Sequence, residues 1–70
     1  MAYRIKDIRE DNDLLQKDMA EIIKTTQQQY SKIELGRSDI YGEKVVLIAK
    51  KFNLSADYIL GLIDEPRPLK

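Results

Sequence analysis

The chain contains no cysteine, so no disulfide can staple it and no thiolate can hold zinc or attack a substrate. It contains no histidine, which removes the commonest general base and the commonest metal ligand. The longest uncharged stretch, Thr25 to Ser31, is polar, so no segment is apolar enough to span a membrane. The N-terminal Met-Ala-Tyr-Arg lacks the apolar region of a secretory signal, and a cytoplasmic location is the expectation. No segment sustains two-residue alternation, so no sheet is expected, and no internal repeat is present. There is no excess of either charge: 12 basic residues face 12 acidic ones. Taken alone, that balance argues against a nucleic-acid partner, for which a basic surface is the usual footprint.

What is present is a small folded domain. The 70 residues are 43% hydrophobic and 34% charged, a composition outside the disordered range. A chain of this size buries only about 60% of the surface it exposes when unfolded. Apolar spacing predicts short helices over Tyr3–Glu10, Gln16–Ile23, Gln27–Glu34, Gly42–Phe52 and Ala56–Leu60. Val45, Ile48, Ala49 and Phe52 give the cleanest helical period. Thr26 and Ser55 are good N-caps, and Gly36, Asn53 and Gly61 fall where helices end. Five short helices with short links disfavour a coiled coil or an up-down bundle. The expected fold is all-α, a compact five-helix domain. Its expected core is Ile5, Ile8, Met19, Ala20, Ile23, Tyr30, Ile33, Val45, Ile48, Ala49, Phe52, Leu54 and Ile59, with Tyr58 half-buried. Residues 1–63 form the domain in this reading. Residues 64–70, with both prolines, form a flexible tail. The start at Met1 and that tail are what a small complete protein would have.

The informative stretch is Gln16 to Gly36. Two short helices are joined by the turn Lys24-Thr25-Thr26, a helix-turn-helix arrangement. Ala20 is small enough to let the second helix sit close to the first. From that second helix Gln27, Gln28, Ser31 and Lys32 point outward. A glutamine amide matches N6 and N7 of adenine in the major groove, and lysine matches O6 and N7 of guanine. Lys32 can reach a base or a phosphate. Thr26 and the free N–H groups at the helix start can hold a phosphate, and Gln16 can do the same. Residues 24–37 are also the one basic segment, with Lys24, Lys32 and Arg37 against Glu34 alone.

These residues, in this register, resemble the helix-turn-helix family of phage Cro and repressor proteins and their bacterial relatives, the XRE-like proteins. The resemblance rests on Ile5, Ile8, Arg9, Gln16, Met19, Ala20, Thr26-Gln27-Gln28, Tyr30-Ser31, Ile33-Glu34 and Gly36. It continues through Val45, Ile48, Ala49, Phe52, Leu54-Ser55, Asp57 and Ile59-Leu60. It runs from about Ile5 to Leu60, nearly the whole chain. Thr26-Gln27-Gln28 is similar to the opening of the recognition helix in lambdoid phage repressors, which implies that the paired glutamines contact bases. The resemblance implies that Gln16 binds a phosphate and braces the recognition helix, and that Arg9 and Glu34 pair across the first and third helices. Its implied function is a sequence-specific DNA-binding transcriptional regulator, a repressor. Taken with the reading of the residues themselves, the expected base contacts are Gln27, Gln28 and Lys32, and the expected phosphate contacts are Gln16, Thr26, Ser31 and Arg37.

Four positions depart from the family pattern. Leu15 stands where an N-capping Thr, Ser or Asn is usual, which forfeits about 1 kcal/mol. Asp39 falls in a loop that often carries a lysine near phosphate, and Leu35 replaces an often polar residue that lies near the DNA backbone. Gly42 lowers the helix propensity of the fourth helix. Affinity for a single half-site is therefore expected to be modest, which points to two copies on a palindromic operator. The pairing is expected to be a weak homodimer or one formed on DNA, through Ile59, Leu62 and Ile63. The alternative is that Leu62 and Ile63 fold back on the first helix.

A different class of function uses the same fold as a protein-interaction module, an antitoxin-like or anti-repressor subunit with weak or no DNA binding. Zero net charge and Asp39 lean that way, and the glutamine pair behind Thr26 leans more strongly toward DNA. No enzyme activity is expected, for want of histidine, cysteine, a phosphate-cradling glycine loop or a carboxylate dyad. No cofactor, metal, small-molecule ligand or membrane partner is expected.

Overall fold

A computed structural model describes residues 3–69; Met1, Ala2 and Lys70, which fall in the expected domain and tail, lie outside the described residues. The described chain forms five helices: α1 (Ile5–Asp11), α2 (Gln16–Ile22), α3 (Gln27–Glu34), α4 (Gly42–Phe52) and α5 (Ala56–Ile59). No strand occurs among the described residues. Among the described residues no helix is long and apolar enough to cross a membrane.

One device ends every helix. A left-handed residue follows each, at Asp13 (φ 54°), Lys24 (φ 57°), Gly36 (φ 78°), Asn53 (φ 52°) and Gly61 (φ 81°). The next N–H then returns to a carbonyl five residues back, as Leu14 to Arg9 at 3.0 Å and Thr25 to Ala20 at 2.9 Å. Arg37 to Lys32 at 2.8 Å, Leu54 to Ala49 at 3.1 Å and Leu62 to Asp57 at 2.8 Å complete the set. This closure satisfies terminal carbonyls and turns the chain sharply, which suits short helices around a small core. At the other ends, Thr26 Oγ1 accepts from the Gln29 N–H at 3.1 Å, and Ser55 Oγ accepts from the Tyr58 N–H at 3.3 Å. Leu15 has no capping side chain, but Asp18 Oδ2 reaches back to accept the Leu15 N–H at 2.9 Å. Asp18 thus restores half of a capping box, and its charge also suits the helix start.

The core gathers Ile5 and Ile8 of α1, Met19 and Ala20 of α2, Tyr30 and Ile33 of α3, and Val45, Ile48 and Ala49 of α4, together with Ile23 and Ile59. Two expected core residues, Phe52 and Leu54, are only partly buried, because they lie at the α4–α5 turn where the core meets the C-terminal segment. Two others are more buried than expected. Ile40 inserts from the α3–α4 loop, and Tyr58 is 6% exposed, not half-buried.

Ile59 is fully buried, which corrects its expected place on a pairing surface: its side chain is spent on the core. Ile63 packs partly on the same core, while Leu62 is 63% exposed. Residues 64–69, expected to form a flexible tail, carry no helix but return along the α4–α5 turn. The Ser55 N–H donates to the Arg67 carbonyl at 2.7 Å, and the Leu69 N–H to the Asn53 carbonyl at 3.3 Å. Arg4 anchors the same end of the molecule. Its N–H donates to the Ile59 carbonyl at 2.9 Å, its guanidinium pairs with Asp64, and its charge stands 6.0 Å from the centre of the Tyr58 ring.

Candidate nucleic-acid interface

The placement of α3 follows from its spacing. Tyr30 and Ile33, three apart, are buried, so the residues between and before them turn outward. Ala20, 3% exposed, is buried on α2, and α2 with α3 is the most extensive helix pairing among the described residues. A methyl side chain there allows close approach. Gln27, Gln28 and Lys32 are exposed and Ser31 is half-buried, while Gln29 is turned aside and half-buried. Gln16, Gln27, Gln28, Ser31, Lys32, Leu35 and Arg37 line one open groove of about 470 Å³.

Six of these seven are the residues singled out from the sequence. Thr26 lies outside the groove lining, at the start of α3. Its oxygen caps the helix through Gln29, which leaves the hydroxyl proton free to donate. Leu35, a departure from the family pattern, is the seventh groove residue. Its seven-residue separation from Gln28 is a two-turn helical repeat, which is the signal that places both on one face. Asp39 accepts a hydrogen bond from the Tyr3 hydroxyl at 3.3 Å, so its carboxylate is engaged with the segment before α1. Gly42 has open space where a Cβ would stand, so packing does not require glycine there.

A network behind the groove fixes α3. Arg9 Nε donates to Glu34 Oε2 at 3.0 Å, and Arg9 Nη2 donates to Oε1 at 2.9 Å. Arg9 Nη1 also donates to the Leu14 carbonyl at 3.0 Å, which ties the α1–α2 turn into the same unit. Gln16 Nε2 donates to Glu34 Oε1 at 3.4 Å. One carboxylate at the end of α3 is therefore held from α1 and from α2.

The electrostatics follow. Burial would push the Glu34 carboxyl up, but hydrogen bonds from Arg9 and Gln16 and the Arg9 charge hold it below its usual value. The hydrogen bonds to Glu34 raise the Arg9 guanidinium further. Tyr30 is fully buried beside this pair, and its hydroxyl has no hydrogen-bond partner of good geometry. Burial first, then the close approach of its hydroxyl to the Glu34 carboxylate and that group's charge, pushes its phenol well up. With Glu34 neutralised by Arg9, the charges left at the surface of residues 24–37 are Lys24, Lys32 and Arg37, all exposed. Lys44 Nζ donates to the Lys24 carbonyl at 3.1 Å and adds a cation beside the helix-turn-helix turn.

Comparison with known proteins identifies a family. Residues 2–65 match the family described as a helix-turn-helix domain. The chain is 32% identical over 67 residues to a Bacillus subtilis (strain 168) protein named "Uncharacterized HTH-type transcriptional regulator YobD". The match covers 96% of this chain and 60% of that relative, so the chain spans less than two thirds of the relative's length. No solved structure matches it.

Proposed function

The chain belongs to the helix-turn-helix domain family, and on that premise we propose that it is a sequence-specific DNA-binding transcriptional regulator that acts as a repressor. The observation that carries this reading is the single groove bordered by Gln16, Gln27, Gln28, Ser31, Lys32 and Arg37. α3 lies in the major groove, with its exposed N-terminal glutamines against base edges. Gln28 takes an adenine through N6 and N7, Gln27 reads a neighbouring base, and Lys32 takes a guanine. Gln16, Thr26, Ser31 and Arg37 hold phosphates and so set the register without reading sequence. Repression follows from occupancy, since a protein seated in the groove excludes others from the same site.

A single module of this size buries on the order of 600–1,000 Å² on DNA. Few base-reading side chains and little net charge make that too small for tight binding, so two copies sit on a palindromic operator with half-sites about 34 Å apart. Leu62, more exposed than Leu69 near the same C-terminal end, is the apolar group offered for pairing.

Titration of random duplex DNA at several salt concentrations tests the reading. Binding through phosphates gives a falling log K against log salt, with a slope of about −0.9 per phosphate neutralised. A protein that binds no duplex at low salt is instead an interaction module built on the same fold.

A further inference from the structure

Leu35 is 65% exposed, and it lines the same groove as the amides and cations proposed to meet DNA. Its neighbours there are all polar: Gln16, Gln27, Gln28, Ser31, Lys32 and Arg37. A large apolar side chain among such neighbours stays in water unless the partner brings apolar surface to it. The major groove offers one such group on base edges, the 5-methyl of thymine.

Leu35 is also held in place. Its N–H donates to the Ser31 carbonyl at 3.0 Å, and the chain beyond it is locked by the left-handed Gly36 and the Arg37-to-Lys32 hydrogen bond. The side chain is therefore presented from a fixed backbone on the face that carries Gln28 and Lys32. Seven residues separate Leu35 from Gln28, about 10 Å along the helix axis. With α3 lying along the groove, that distance is on the order of three base-pair steps.

We propose that Leu35 is a specificity-determining residue, packing on the 5-methyl group of a thymine two to three base pairs beyond the adenine read by Gln28. The inference rests on the DNA-binding reading above and deepens it. The contact is purely apolar, so it discriminates thymine from cytosine at one edge of the half-site without a hydrogen bond. It also explains why a leucine occupies a position where a polar residue would be better solvated.

The test starts from the duplex enriched from a random pool by the 70-residue chain. Each thymine of that duplex is replaced singly by deoxyuridine, which removes only the methyl. The expected result is one position per half-site at which the replacement weakens binding about three- to fivefold, the value of one buried methyl. That loss should vanish in Leu35→Ala and persist in Gln28→Ala. Restoring the methyl on a cytosine at that position, as 5-methylcytosine, should recover part of the affinity for the wild-type chain alone. If Leu35→Ala weakens all duplexes equally and leaves the deoxyuridine pattern unchanged, Leu35 packs on the sugar-phosphate backbone and the thymine contact is overturned. If no sequence is enriched at all, both this contact and the DNA-reading assignment fall together, whereas an enriched sequence indifferent to the methyl overturns this contact alone.

Discussion

Arg9 and Glu34 form a two-point ion pair, Nε to Oε2 at 3.0 Å and Nη2 to Oε1 at 2.9 Å, that joins α1 to the end of α3. Both side chains are largely buried, at 15% and 6% exposed. Two parallel N–H···O bonds fix the guanidinium plane as well as the distance, which a lysine could not do. The pair thereby sets the angle at which α3 leaves the body of the domain.

Removing one partner leaves the other buried and uncompensated. Arg9→Met or Glu34→Gln should lower unfolding stability by about 3 kcal/mol, the lower end for a broken buried pair, because some water still reaches this one. Replacing both with apolar residues should recover much of the loss. Urea denaturation of the singles and the double measures this; additive losses would mean the two residues are not coupled.

The same pair makes stability depend on acid. The Glu34 carboxyl is held below its ordinary value of 4.5, so the unfolded chain takes up its proton first as pH falls. The stabilisation is full above about pH 4.5 and is lost as pH falls through the lower folded value. The Glu34→Gln variant should show a shallower decline over that acid range than the wild type in pH-dependent urea titrations.

Much of the fold was legible because the helix periods are short but clean. Tyr30 with Ile33, and Val45 with Ile48 and Ala49, point inward as their spacing requires. Two buried residues were not legible for opposite reasons. Ile40 stands alone in a loop, with no period to reveal it, and Tyr58 sits beside Ile59 in a four-residue helix too short to display one. Asp18 as the partner of the Leu15 N–H was hidden because half a capping box has no serine or threonine to announce it. The candidate groove was legible for six of its seven residues, since helical spacing alone turns polar side chains outward. Leu35 was judged by its residue type, and its position on the helix is what places it in the groove.

Lys24 occupies the left-handed position that ends α2, at φ 57°. A side chain there costs roughly 1–2 kcal/mol that glycine avoids, partly offset by the greater freedom of glycine when unfolded. Lys24→Gly should therefore raise stability by about 0.5–1 kcal/mol. Thermal unfolding of the variant tests it, and a lowered midpoint would contradict the assignment of strain to this turn.

Ala20 is buried on α2, the helix that packs most extensively against α3. Ala20→Leu should cost about 1–3 kcal/mol through overpacking and should weaken DNA binding by tilting α3. A variant with wild-type stability and wild-type binding would show that the close approach of these helices is not required.

Leu62 is the exposed apolar group proposed for pairing between copies. Leu62→Asp should leave folding intact, because the residue is at the surface, and should abolish cooperative filling of two half-sites. Sedimentation with and without a palindromic duplex reads this; unchanged cooperativity would place the pairing surface elsewhere.

The assignment of α3 as the element that reads bases is tested most directly by selecting bound sequences from random duplex DNA with the wild type, Gln28→Ala and Arg37→Ala. The expected outcome is a defined wild-type motif in which Gln28→Ala relaxes preference at one base pair per half-site, at a cost of about 1–3 kcal/mol there. Arg37→Ala should keep the motif and weaken binding to every sequence alike. A motif that Gln28→Ala leaves unchanged would contradict the assignment.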